Sequence, residues 1–212
     1  MPRAWMVVAH HDDALLWGHG LLLRTLALGW EWTLVAMCVD RPRYQTYFDD
    51  YAQHLGVRHA RHAFQNYQLG DCFSVNAADD MAVALRDSLG AERPDWVVSH
   101  SAKRRGEYGR HANHHEVLMT LWGLVPREQV IQFAYGQHYP ADGMCTVADL
   151  DTSHFLPLTY AEQLDKLNWC MKAPDAGTSL VALGCPCPNP EGFQSSLDLP
   201  RPWVQRRVSA PT

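Results

Sequence analysis

Trp5-Met6-Val7-Val8-Ala9 runs directly into His10-His11-Asp12-Asp13, and this change from apolar to polar residues indicates the fold class. Five consecutive apolar residues are typical of a strand that is buried on both faces of a parallel sheet. After the polar residues, leucines recur at helical spacing from Leu15 to about Leu28, and Gly29 is a stop signal. The sequence therefore predicts a strand, a polar turn and a helix. In open α/β sheets, ligands bind at such carboxyl ends of strands.

The polar turn carries side chains that suit a metal site. A His and a carboxylate three residues later can face one point, and both bind zinc at about 2.0–2.2 Å. His10 and Asp13 would supply two ligands, and Asp12 could take a proton from water. Because a catalytic zinc site usually has three protein ligands and one open position, a third ligand is expected from elsewhere. The competing interpretation of this turn alone is a helix N-cap with solvated carboxylates.

A second polar stretch follows another apolar strand, which ends at His100. A loop from Gly106 to Arg110 leads from this strand to His111-Ala112-Asn113-His114-His115-Glu116-Val117. His111 and His114 are an i, i+3 pair at the start of a helix that is expected to run from about Glu116 to Leu124. Such a pair can direct one ring at a metal and leave the other near the substrate.

Three motifs stand in a fixed order along roughly the first 120 residues. They are Ala9–Ala14, Pro94–His100 and His111–Val117, and Ala52–Val57 adds a helix end of the form A-x-x-L-G-V. The chain thereby resembles the LmbE/PIG-L family of metal-dependent N-acetyl-sugar deacetylases, whose motifs are A-H-P-D-D-E, P-D-x-V-x-x-H and H-x-D-H-x-x-V. The resemblance implies a Rossmann-like three-layer αβα sandwich with a mostly parallel sheet.

The resemblance also implies a role for each site residue. His10, Asp13 and His114 would be the metal ligands, and Asp12 would be the general base. His111 would stabilise the oxyanion or protonate the leaving amine. The expected metal is Zn²⁺, although Fe²⁺ or Co²⁺ would fit the same ligands. The implied reaction removes an N-acetyl or other short N-acyl group from an amino sugar such as N-acetylglucosamine, or from a glycoconjugate.

Three positions depart from the family motifs. His11 replaces a Pro, Ala14 replaces a Glu, and Asn113 replaces the Asp that orients the neighbouring His. Losses in such supporting positions typically cost about 10–100-fold in metal affinity or activity. Two alternatives to a sugar deacetylase stay open, and only the loss of catalysis follows from these departures. One is an amide hydrolase acting on a non-sugar N-acyl substrate, such as a modified nucleoside, thiol conjugate or secondary metabolite. The other is a metal-containing binding protein that has lost catalysis.

Candidate substrate contacts come from loops that are expected at the same edge of the sheet. The loop after the predicted strand Thr33–Val39 carries two arginines. The loop before His111 carries an arginine, a glutamate and a tyrosine. Another tyrosine follows the predicted strand Val130–Tyr135. These candidates are Arg41, Arg43, Arg105, Glu107, Tyr108 and Tyr139.

Composition limits the remaining possibilities. The 212 residues are 47% hydrophobic and 19% charged, which predicts a single α/β domain over residues 1–212. A net charge of −5 gives no basic field to attract a nucleic acid polymer. An uncharged apolar run of about 18 residues is lacking, so no membrane span is expected. The expected partner is a small N-acylated molecule, and homo-oligomerisation stays open.

The ends of the chain and its cysteines suggest where the protein acts. The N-terminus enters a strand without an apolar leader, so a cytoplasmic location is expected. The six cysteines do not have zinc-finger spacing and are expected to be reduced thiols. Residues from about 173 to 212 are rich in Pro and Gly and are expected to form an irregular C-terminal segment.

Overall fold

Five parallel strands form the body of the sheet in the computed structural model of the chain. Their order is β3-β2-β1-β4-β5, and each pairs in parallel with its neighbour. The strands are β1 (Arg3–Val8), β2 (Glu31–Ala36), β3 (Arg58–Arg61), β4 (Trp96–Ser99) and β5 (Val130–Phe133). The strand order reverses beside β1, because β2 follows on one side and β4 lies on the other. In open α/β sheets ligands bind at such a switch point, which here lies at the carboxyl ends of β1 and β4.

Helices cover both faces of this sheet. They are α1 (Asp13–Ala27), α2 (Pro42–Leu55), α3 (Ala78–Leu89), α4 (Ala112–Trp122) and α5 (Tyr160–Lys172). One core lies between the sheet and α1, α2 and α5, and the other lies between the sheet and α3 and α4. Met6 and Val8 of β1 enter the first core, whereas Trp5 and Val7 enter the second. The predicted three-layer αβα sandwich is therefore confirmed, and burial on both faces explains why β1 is apolar throughout.

β3 is a polar strand at the edge of this sheet. The C-terminal segment expected to be irregular contributes two short strands. Together with one strand before α5 they extend the sheet by antiparallel pairing: β6 (His154–Leu156), β7 (Glu191–Gln194) and β8 (Gln205–Arg206).

The structure describes residues 1–66, 76, 78–91, 93–101, 112–133, 154–174, 191–194 and 205–206. Five of the predicted site residues lie outside these ranges, and their roles stay predictions: Arg105, Glu107, Tyr108, His111 and Tyr139. Cys38 and Cys170 are buried free thiols. Among the helices in the described ranges, none is long and apolar enough to cross a membrane.

Candidate metal centre

Three side chains that are distant in sequence meet at the switch point of the sheet. His10 follows β1, Asp13 begins α1, and His114 lies in the first turn of α4. The turn folds back on itself, because the backbone N–H of His10 donates to Oδ2 of Asp13 over 2.7 Å. His10, Asp13 and His114 are only 7%, 3% and 4% exposed, respectively. A buried carboxylate is therefore held against two imidazole rings, and such a group needs a compensating charge.

The spacing of these three side chains suits a single small cation. Nδ1 of His10 lies 3.1 Å from Nε2 of His114 and 3.3 Å from Oδ2 of Asp13. Nε2 of His114 lies 3.4 Å from Oδ1 of Asp13. Ligand atoms at about 2.0–2.2 Å from one tetrahedral ion lie about 3.3–3.6 Å apart. The measured separations are close to these values, so the residues fit a three-ligand site for a divalent metal.

Electrostatics in the cluster favour the ionised carboxylate. Burial opposes the charge on Asp13, but His114, His10 and His100 outweigh that penalty and hold the pKa of Asp13 well below its ordinary value. Burial likewise opposes the charged form of His10, but the neighbouring Asp13 and Asp12 raise the pKa of His10. Asp13 is thus an anion in the folded protein and can act as a metal ligand without first losing a proton.

His100 supports this cluster from the end of β4. Its Nε2 accepts the backbone N–H of Ala9 over 2.8 Å, so its lone pair is used and the ring proton sits on Nδ1. Its ring stacks on that of His114, with ring centroids 4.0 Å apart and planes 13° apart. His100 therefore positions the β1 turn and His114. Its place at the end of a family motif was visible in the sequence, but this contact across the sheet was not.

Acidification of the metal-free protein is expected to lower its stability through His100. Burial lowers the pKa of His100 to about 4, against an ordinary value of 6.5. Between these values the unfolded chain binds a proton that the folded chain does not, so stability falls as pH drops from about 6.5 towards 4. From pH 7 to pH 5 the expected contribution of His100 to this loss is about 2 kcal/mol in the free energy of unfolding, taken from urea denaturation in chelator.

A pair of variants isolates the contribution of His100 to this pH dependence. His100→Gln should lose most of the expected difference between pH 7 and pH 5. His115→Gln, which replaces an exposed histidine of α4, should keep it. Equal pH dependence in all three proteins would contradict a neutral, buried His100.

Asp12 stands beside the cluster without serving as a side-chain cap. It occupies the N-cap position of α1, but its side chain makes no capping hydrogen bond. Its carboxylate is 17% exposed, and Oδ1 lies 3.9 Å from Nδ1 of His11. The interpretation of this turn as an ordinary capped helix start is therefore not supported for Asp12. A partly exposed carboxylate next to the three clustered residues can accept a proton from water bound there.

The loop after β2 reaches the same turn. The ring of His11 stacks on Tyr44, with centroids 4.3 Å apart and planes 10° apart. Nη1 of Arg41 and Nη2 of Arg43 both donate to the hydroxyl of Tyr44, over 3.3 and 3.0 Å. His11, which stands where the family has Pro, thus links the polar turn to the start of α2. The two arginines lie at this edge of the sheet as the sequence predicted, and contact with substrate remains a prediction.

Several solved structures are similar to this chain in fold but not in sequence. No protein-family model and no curated protein sequence matches it. A teicoplanin deacetylase, Orf2, solved in a zinc-inhibited form, has a TM-score of 0.52 at 14% identity, covering 84% of this chain and 85% of that one. An N,N'-diacetylchitobiose deacetylase from Pyrococcus horikoshii has a TM-score of 0.57 at 14% identity, covering 91% and 82%.

A third solved structure has the same fold and a different reaction. It is GalB, the 4-carboxy-2-hydroxymuconate hydratase from Pseudomonas putida KT2440, with a TM-score of 0.54 at 17% identity, covering 87% of this chain and 82% of that one. The two deacetylases belong to the LmbE/PIG-L family, so the chain has the fold of that family. Because a fold hosts more than one reaction, the function has to be argued from the site.

Proposed function

We propose that this chain is a metal-dependent hydrolase that removes an N-acetyl or other short N-acyl group from an amino sugar or glycoconjugate. The observation that carries the proposal is the cluster of His10, Asp13 and His114, three buried residues whose ligand atoms lie 3.1–3.4 Å apart. The deacetylases of the same fold support the substrate class. Zn²⁺ is the proposed metal, since two imidazoles and a carboxylate are normal zinc ligands.

The proposed mechanism divides the work among the site residues. His10, Asp13 and His114 would hold the metal, which when bound polarises the amide carbonyl and lowers the pKa of water towards ~7. Asp12 would remove a proton from the water that attacks the carbonyl carbon. His111 would donate a hydrogen bond to the oxyanion, or a proton to the departing nitrogen. The products would be a short carboxylic acid and a free amine.

Substrate recognition is proposed to come from the loops around this cluster. Arg41 and Arg43 converge on the Tyr44 hydroxyl, and Tyr44 in turn stacks on His11 of the polar turn. A guanidinium here could bind a sugar hydroxyl or an anionic group of the substrate. Arg105, Glu107, Tyr108 and Tyr139 are proposed as further substrate contacts on the sequence alone.

Acid release from a panel of N-acetyl compounds tests the proposed function. We expect turnover of one or more N-acetylglucosamine derivatives, loss of turnover in chelator, and recovery on addition of zinc. Turnover of non-sugar acetamides alone would replace the sugar substrate with another N-acyl amine. Full zinc occupancy with no turnover of any acetamide would contradict a hydrolase and favour a metal-containing binding protein.

A further inference from the structure

We propose that Arg41 and Arg43 form a subsite for an anionic group, so that the substrate carries a carboxylate or a phosphate in addition to its N-acyl amide. The inference rests on the proposed function, which places the amide at the cluster of His10, Asp13 and His114. It narrows the substrate class from N-acylated amines in general to those that are negatively charged.

The two arginines lie beside the candidate metal centre. Arg41 is the residue before α2, and Arg43 lies in its first turn. Tyr44 of the same turn stacks on His11, with ring centroids 4.3 Å apart and planes 10° apart. His11 directly follows His10, one of the proposed metal ligands. A substrate whose amide is at the metal would therefore have its neighbouring groups close to these arginines.

Both guanidinium groups converge on one side chain, that of Tyr44. Nη1 of Arg41 and Nη2 of Arg43 donate to its hydroxyl oxygen over 3.3 and 3.0 Å. Their Cζ atoms lie 5.4 and 4.9 Å from the centroid of its ring. Two positive charges are thus gathered at one phenol, where they repel each other.

The partners of Arg41 do not neutralise its charge. In the part of the chain that the structure describes, Arg41 forms no ion pair, and the hydroxyl and ring of Tyr44 are uncharged. Asp40 is next to it in sequence, but this exposed residue forms no ion pair within the described ranges either. An anionic oxygen bound by the two guanidinium groups would supply the compensating charge, which a neutral sugar hydroxyl would not.

Packing fixes the aromatic group on which the arginines converge. Tyr44 and His11 are only 5% and 6% exposed, and the ring of Tyr47 meets that of His11 edge-on, with centroids 5.4 Å apart. Arginines that are already held in place lose less freedom when a ligand binds. The planar donor fork of a guanidinium matches the oxygens of both carboxylate and phosphate. The geometry therefore suits either kind of anion.

The dependence of KM on substrate charge tests this inference. The probes are N-acetylglucosamine, which is neutral, N-acetylglucosamine 6-phosphate and N-acetylmuramic acid, which carries a carboxylate. With the zinc-loaded protein we expect a KM about 10–100-fold lower for at least one charged probe than for the neutral probe. The two charged probes distinguish phosphate from carboxylate. For a probe that is not hydrolysed, the Kd from calorimetry replaces KM.

Arginine variants show whether this preference comes from the proposed subsite. Arg41→Gln and Arg43→Gln should each raise KM for the preferred charged probe about 10-fold or more, with kcat and the KM of the neutral probe unchanged. Arg41→Lys keeps the positive charge and should lose less. Arg127→Gln is the matched control, because Arg127 also lies over an aromatic ring, with its Cζ 4.5 Å from the Trp122 centroid. This control should change none of the constants.

Two results would overturn the inference. One is a neutral probe that binds as tightly as both charged probes. The other is a KM for the charged probes that is unchanged in both Arg41→Gln and Arg43→Gln. A fall in kcat for all three probes in these variants would indicate a general loss of the site and would also count against an anion subsite.

The same measurements separate failure of this inference from failure of the proposed function. If the zinc-loaded protein hydrolyses no acetamide, the hydrolase proposal fails, and the dissociation constants of the three probes still decide the inference. If the protein hydrolyses charged and neutral probes with equal KM, only the inference fails.

Discussion

Replacing Asp12 by Ala is expected to abolish hydrolysis while the protein still binds one metal ion. Asp12 is the carboxylate beside the cluster that neither caps α1 with its side chain nor belongs to the three-residue set. Removal of a general base costs about 10²–10⁴-fold in rate. We therefore expect kcat to fall by about that factor, with metal content measured by elemental analysis almost unchanged.

A second substitution distinguishes basicity from shape at this position. Asp12→Asn keeps the size of the side chain and removes its ability to take a proton, so it should be as inactive as Asp12→Ala. Retained activity in either variant would contradict Asp12 as the base. Loss of metal in both would instead make Asp12 part of the metal site.

Replacing Asp13 by Asn is expected to remove metal binding altogether. Asp13 supplies the negative charge of the cluster and lies within 3.5 Å of three imidazoles, those of His10, His100 and His114. An amide is a weaker ligand than a carboxylate, so zinc affinity should fall by more than the roughly 10–100-fold that supporting residues cost. Turnover should disappear with the metal.

Thermal unfolding with and without zinc measures this loss. A ligand present at 100 times its dissociation constant stabilises the folded state by about 2.7 kcal/mol. The original protein should show this stabilisation as a rise in Tm, and Asp13→Asn should show none. Asp49→Asn alters a partly buried carboxylate of α2 that pairs with Arg61 of β3. This variant should respond to zinc as the original protein does. An equal rise in Asp13→Asn would exclude Asp13 as a ligand.

The sequence predicted the parts of the fold that depend on neighbouring residues. The change from a continuous apolar run to helical spacing placed β1, the polar turn and α1. Local signals also mark the starts of two further helices. Pro42 stands in the first turn of α2, and Thr159 with Glu162 forms a capping box at the start of α5.

Pairing between strands that are distant in the chain could not be predicted from such local patterns. β7 and β8 have four and two residues, and they are strands because they pair with β5 and β6, far away in the chain. A Pro- and Gly-rich sequence has no alternation of apolar and polar residues that would predict these strands. These two short strands were therefore not predicted from the sequence.

In the candidate site too, the sequence identified individual residues but not the contacts between distant segments. The family motifs named His10, Asp13 and His114, and the structure brings these three together. The hydrogen bond from Ala9 to His100 crosses from β1 to β4 and was not foreseen. The side chain of Asn113 donates to Gln65 and Glu116, and Asn76 donates to Glu116. Gln65 and Asn76 lie more than 30 residues away in sequence. The sequence thus marked Asn113 as a replacement but not the contacts that accompany it.

A crystal structure of the zinc-loaded protein, with anomalous data collected at the zinc edge, would show directly whether His10, Asp13 and His114 bind a metal. We predict one zinc ion with Nδ1 of His10, Nε2 of His114 and an oxygen of Asp13 at about 2.0–2.2 Å, and a further position open to water or substrate. Zinc bound elsewhere, or no zinc within reach of these three residues, would contradict the claim.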